Sequence, residues 1–272
     1  MNNFSFFSSL KLSWFGINNN KRQIIGWCIS IFSIMFLYMI LFPSVKDMAQ
    51  IKLDAMPKEL LQFVGLDDLS DMSNYITYFG MVFNIILIAI SIFAASFSAG
   101  LISREEKTKT IEFLYSLEVS RSEIYVSKLM TAYFAVLAVL CSGVSASGIC
   151  GAINGEDIFD AGKFILIVKI SGFTVFVFMS VSLMIAGVTT KIGAPMAGSM
   201  TVLVCYLLGF LSRLLGEKAQ WLSKLSPFEL FSPENAIAIQ NHTVYEVTVY
   251  FFIAVFFILV GGIVFNRRDF NL

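Results

Sequence analysis

The sequence predicts an all-α integral membrane domain with six transmembrane helices, and three observations carry that prediction. Its 272 residues are 57% hydrophobic and only 14% charged, where soluble domains carry about a quarter charged residues. Mean hydropathy is +0.78. Six apolar runs reach the ~20 residues that a helix needs to cross ~30 Å of hydrocarbon. They fall at about 24–42, 76–102, 129–154, 164–190, 193–212 and 247–266. No stretch between them is long enough for a soluble domain, so residues 1–272 form a single transmembrane domain.

Lys+Arg and Asp+Glu are equal at 19 each, so net charge points to no nucleic-acid partner. Placement is more informative. With the amino terminus inside and six crossings, the inner segments hold eleven basic residues against six acids, leaving eight against thirteen elsewhere. An excess of Lys and Arg marks the cytoplasmic side. The expectation is a multi-pass protein of the cell membrane, with both termini and the segment after the second span in the cytoplasm.

The elements follow in order. Over residues 4–20, Phe4, Phe7, Leu10, Trp14 and Ile17 recur at three or four, with serines mostly opposite and with Leu12 and Phe15 off the face. That pattern predicts an amphipathic helix lying along the inner membrane interface. The first span, "IIGWCISIFSIMFLYMILF", is uncharged. Its length, the residues preceding it and the lack of a small-residue cleavage site argue against a cleavable signal peptide. In the following loop, "MPKELLQFVGL" predicts a short surface helix with Pro57 at its first position and Gly65 as its stop.

The second and third spans contain "AASFSAG" and "CSGVSASGICGAING", dense in small residues. Gly143, Ser147 and Gly148 are the candidate helix-packing residues, because small side chains let membrane helices approach one another or a second copy. Hydroxyls lining a transport route are the alternative. Lys169, the one charge well within a span, is expected to snorkel to the interface, with ion coupling as the other reading. Region 216–243 alternates apolar residues with Pro227 and Pro233, which predicts broken re-entrant helices on the outer side, before the sixth span. Glu229 and Glu234 there are expected to be solvated, or else to contact a cation or peptide. His242 stands alone in the sequence, so no metal site is expected. The four cysteines all lie in spans without a CxxC pair and are expected to pack as small hydrophobes.

The charge-rich stretch Ser103–Lys128 interrupts chain that is uncharged from Tyr75 to Ile102 and again from Leu129 to Asn154. Glu105–Leu117 has helical periodicity, with Ile111, Leu114 and Tyr115 forming an apolar patch beside Lys107, Lys109 and Glu112. Ser120 with Glu123 three residues on has the capping-box spacing and predicts a second helix start. A positive-inside anchor accounts for the basic residues alone. A partner groove accounts also for the interspersed acids and the apolar trio, since apolar residues anchor while charges set register.

Glu106, Thr110, Ile111, Glu112, Leu114, Val119, Ser120, Arg121 and Lys128 match a pattern like E-x-x-x-G-T-[LI]-E-x-L-L-x-x-P-[VI]-S-R, followed by a Lys at the next span. By these residues the chain resembles the membrane (permease) subunit of type 2 ATP-binding-cassette exporters. "KLSPFELFSP" at Lys224–Pro233 and the ending "FNRRDF" at Phe265–Phe270 are similar to further features of that family. Lys109 departs where the family often has Gly, and Glu118 where it often has Pro.

The resemblance implies that segment 104–121 is a coupling helix seated on a separate ATPase subunit. Glu105, Glu106, Thr110, Ile111, Glu112, Leu114, Tyr115, Ser120 and Arg121 would be its ATPase-coupling residues. It also implies a second permease copy, as a homodimer or a paralogous heterodimer. No phosphate cradle such as G-x-x-x-x-G-K-[ST] is present. The chain is therefore expected not to be an enzyme and to hold no cofactor, with ATP and Mg in the partner ATPase. The expected function is ATP-driven export of an amphipathic, antimicrobial or toxin peptide across the lipid bilayer. Drug or lipid export by the same machinery and an ATP-independent secondary carrier are the alternatives.

Overall fold

The computed structural model describes residues 6–51, 74–108, 120–154, 160–189, 193–215, 219–232 and 242–267. Their regular structure is helical: α1 Phe6–Ile40, α2 Phe42–Ile51, α3 Tyr75–Thr108, α4 Arg121–Asn154, α5 Ala161–Val188, α6 Ala194–Leu215, α7 Gln220–Ser223, α8 Pro227–Leu230 and α9 His242–Arg267. Six of them, α1, α3, α4, α5, α6 and α9, carry stretches long and apolar enough to cross a membrane. They coincide with the six runs expected from the sequence. The surface helix expected from Pro57 to Gly65, and Glu234, lie outside the described residues.

Local sequence sets where the spans begin. The Asn74 side chain accepts a hydrogen bond from the Ile76 N–H at 2.9 Å at the start of α3. Asp160 accepts from the backbone N–H of Gly162 and of Lys163, each at 3.1 Å, and so caps α5. These are the orphan donors that every helix start leaves. The Lys163 N–H is also the main reason that the Asp160 carboxyl titrates below its ordinary range.

Contacts between helices establish an alternating bundle. Thr131 of α4 donates to the Ser13 carbonyl of α1 at 3.2 Å, and further along Gly143 faces Ile31, so α1 and α4 run parallel. Tyr75 at the start of α3 bonds the Ser147 carbonyl near the end of α4, while Lys128 near the start of α4 bonds the Leu101 carbonyl of α3. Those two helices are antiparallel. Phe79 packs on Phe164 with ring centroids 4.6 Å apart, placing the start of α5 beside the start of α3. The core runs along α3, where Phe79–Phe83 and Phe93–Phe97 stack at 5.1 and 5.2 Å. Lipid is as apolar as these rings, so close packing rather than escape from water holds such a bundle together.

Residues 4–20 were expected to form a separate helix. From Phe6 onward they are instead the first half of α1, with no break before the first span. Ser9 and Ser13 are buried, whereas Phe7, Trp14 and Phe15 are exposed. A Cβ on Gly16 would stand 2.7 Å from the Thr131 Oγ1. The small and polar side of this segment therefore faces α4, because only small residues allow the two backbones to come this close.

The two short helices α7 and α8 sit among α5, α6 and α9. Phe228 stacks on Phe178 at 4.9 Å, and Phe231 lies edge-on to both Phe173 and Tyr250 at 5.3 Å. The Tyr250 hydroxyl donates to the Lys224 carbonyl at 2.7 Å, and Ser212 Oγ donates to the Ala219 carbonyl at 3.3 Å. Glu229 is not merely solvated: its Oε2 accepts from Arg213 Nε at 2.6 Å. Lys169 is exposed on α5.

Candidate functional site

The candidate site lies at the start, or base, of α4, which contacts the first half of α1, the end of α3 and the end of α9. Glu105 and Glu106 belong to the last turns of α3. Thr110, Ile111, Glu112, Leu114 and Tyr115 lie outside the described residues. Ser120 and Arg121 are the described members of the predicted coupling set.

Helix α4 starts on a reciprocal cap. Glu123 Oε2 accepts from the Ser120 N–H at 2.8 Å and from the Ser120 hydroxyl at 2.9 Å. In return Ser120 Oγ accepts from the Glu123 N–H at 3.2 Å. This is the capping box that the spacing predicted. It fixes the angle at which the chain enters the third span, and Glu123 is buried in doing so.

The next two turns of α4 are tied to its neighbours. Arg121 Nη1 donates to the Asn266 carbonyl at 3.2 Å, and Asn266 Nδ2 donates back to Ser122 Oγ at 3.1 Å. Asn266 lies in the last turn of α9, whose carbonyls lack helical partners and carry partial negative charge, so a guanidinium there is doubly favoured. The Tyr125 hydroxyl donates to the Ile258 carbonyl at 2.9 Å, and its ring packs on Phe265 at 5.7 Å. Lys128 is buried and its Nζ donates to the Leu101 carbonyl of α3.

Glycines make these approaches possible. A Cβ on Gly261 would lie 2.8 Å from the Tyr125 hydroxyl oxygen and 3.1 Å from the Met184 Cα, and one on Gly187 would lie 2.8 Å from the Gly261 carbonyl oxygen. Helices α4, α5 and α9 thus meet at a point where no side chain fits between them.

The predicted packing residues lie further along α4. Gly143 faces α1 and α3, and a Cβ there would stand 3.1 Å from Ile31 Cγ2. Ser147 is buried, donates to the Val144 carbonyl at 2.9 Å and offers its own carbonyl to Tyr75. Gly148 faces open space, with nothing within 4 Å of where its Cβ would be. Tyr125, Asn266, Gly187, Gly261 and Gly262 were not singled out from the sequence. The Gly-Gly pair inside an otherwise bulky apolar run was the available signal.

Among the described residues no group of His, Cys, Asp and Glu side chains is placed to hold a metal ion. Among the described residues, Ser120, Arg121, Tyr125 and Lys128 tie the start of α4 to its own cap, to α9 and to α3.

A family model described as the C-terminal domain of the multidrug efflux system permease Rv1217c matches residues 15–266. No curated protein matches the chain. The match spans nearly the whole bundle, and the chain belongs to that permease family. This agrees with the resemblance to the membrane subunits of ATP-binding-cassette exporters.

Proposed function

We propose that the chain is driven by a separate cytosolic ATPase that grips segment 104–121, and that two permease copies together enclose the export path. The observation that carries the coupling reading is the base itself. Within nine residues, Ser120, Arg121, Tyr125 and Lys128 connect the start of α4 to its own cap, to α9 and to α3. A loop that anchors only by charge has no need of hydrogen bonds to the carbonyls of two other spans. Closure of the ATPase would push on 104–121, tilt the start of α4, and carry α3 and α9 with it.

Support for a second copy comes from exposed apolar surface. Only 22% of the apolar window of α6 and 11% of that of α9 are buried, and Gly148 presents a flat backbone outward. On this reading the partner covers part of that surface and lipid the rest, with both termini in the cytoplasm and α7 and α8 re-entering from the outer leaflet.

The cargo we propose is amphipathic. The family description, a multidrug efflux permease, favours a drug-sized compound over the peptide expected from the sequence. The test is ATP-dependent efflux of ethidium from proteoliposomes holding the chain and its ATPase. Lys128→Met should leave the ATPase bound and hydrolysing while efflux falls by about tenfold or more, because the cation joining α4 to α3 is lost. Efflux without ATP would return the secondary-carrier reading. Unchanged efflux in the variant would remove the base from the transmission path.

A further inference from the structure

A cleft of about 220 Å³ lies between α3 and α6 beside α8, lined by Asn84, Tyr206, Phe210, Arg213, Phe228 and Glu229 among others. We propose that it is a binding subsite for an aromatic amphiphile bearing a carboxylate or other oxyanion. The proposal rests on the export reading only in taking such an amphiphile to be one class of cargo, distinct from the cationic ethidium that reports export itself.

Most polar side chains in the spans are satisfied locally. Ser98, Ser127 and Thr174, for example, return their hydroxyls to carbonyls three or four residues back. The cleft departs from that pattern. Asn84 stands nine residues after Tyr75, about 13 Å along α3 at ~1.5 Å per residue. Its amide lines the cleft and makes no hydrogen bond to any described residue. An unused amide inside an apolar span is costly unless something pairs with it.

Arg213 adds donors. It uses Nε toward Glu229 and makes no other bond among the described residues, so the donors on Nη1 and Nη2 are not engaged by them. The pair is mostly shielded, with side chains 24% and 20% exposed. Glu229 acts as counter-ion to a guanidinium that is expensive to bury alone. Beside the cleft wall, the Ser226 hydroxyl is buried without a hydrogen-bond partner and sits 2.7 Å from the place of a Gly209 Cβ. The surplus hydrogen-bonding capacity is therefore mainly donor, next to three aromatic rings.

An acceptor-rich, negatively charged head fits that surplus, because charge-assisted bonds to guanidinium are the strong ones and are strengthened in a low dielectric. The rings of Tyr206, Phe210 and Phe228 suit an attached aromatic group in offset or edge-on contact. The volume is below the ~300–1,000 Å³ of sites that hold whole drug-sized ligands. The cleft thus takes one ring with its head group, as part of a larger molecule or as a small one.

The experiment uses the full chain in lipid nanodiscs without any ATPase, titrated with naphthoate and with naphthylmethylammonium, and with empty nanodiscs as reference. Saturable naphthoate binding about tenfold tighter than that of the ammonium is expected from one charge-assisted contact. Arg213→Gln should abolish the preference, and Asn84→Leu should weaken it. Glu229→Gln should tighten naphthoate, because it removes the competing carboxylate. Each variant is first checked for an unchanged melting temperature, and Glu229→Gln decides the matter if Arg213→Gln does not fold. Tighter ammonium binding, no binding above empty nanodiscs, or naphthoate binding weakened by Glu229→Gln would each overturn the proposal. Failure here alongside intact ATP-driven ethidium efflux would reject the subsite and leave the export reading standing.

Discussion

Helices α3 and α9 have nearly the same mean hydropathy, 2.5 and 2.7, yet 72% of the apolar window of α3 is buried and only 11% of that of α9. Composition places both in the membrane and cannot tell the axis of the bundle from its edge. What differs is the pattern of small and aromatic residues. On α3 buried Phe79, Phe83, Phe93 and Phe97 are interleaved with buried Ala94, Ala95, Ser98 and Ala99. On α9 Phe251, Phe252, Phe256, Leu259 and Ile263 are exposed, and Gly261 with Gly262 make the close crossing. A central span is held by rings along its length; a peripheral span is held near its two ends and at one glycine crossing.

The largest effect should come from breaking this contrast at the centre. Phe83→Ala opens a cavity in a site with no exposure and should cost about 3 kcal/mol. Phe256→Ala, 60% exposed, should cost less than about 0.5 kcal/mol. Thermal unfolding of both in one lipid system gives the comparison, and equal losses would mean that burial in the single chain does not govern stability.

A smaller effect tests the glycine crossing. Gly261→Leu drives a side chain into Tyr125 and Met184 and should cost about 2 kcal/mol by overpacking. Gly148→Leu meets nothing in the chain and should leave the monomer's melting unchanged. If Gly148→Leu instead lowers the assembly state seen by native mass measurement, that face belongs to the second copy.

The smallest of the three removes one bond. Tyr125→Phe keeps the ring against Phe265 but loses the hydrogen bond to the Ile258 carbonyl. It should cost about 1 kcal/mol, with α9 exchanging its amides faster than α3. Equal acceleration in the two helices would contradict the peripheral attachment of α9.

The same contrast explains what the sequence made legible. Span positions follow from the absence of charge over about twenty residues, a property each segment carries by itself. The start of α4 was legible because Ser120 and Glu123 act on one another at fixed spacing. The partners of Arg121, Tyr125 and Lys128 are backbone carbonyls, which every residue has, so no side-chain pattern announces Asn266, Ile258 or Leu101. The pairing of Arg213 with Glu229 depends on how α8 folds back onto α6. The inward turn of Ser9, Ser13 and Asn20 on α1 was not legible, because a polar stripe beside a membrane suggests water, whereas at four- and seven-residue spacings it also makes a surface for close helix packing.

Affinity capture reads out whether an external ATPase, as proposed, works this bundle through segment 104–121. The chain is purified from its host in mild detergent, alongside a variant carrying Ile111→Ser, Leu114→Ser and Tyr115→Ser. On that proposal, a subunit with a nucleotide-binding P-loop should come down with the unaltered chain and be lost from the triple variant, while both chains melt alike. Recovery of that subunit in equal amount with the variant, or its absence from both when the bundle is intact, would contradict it.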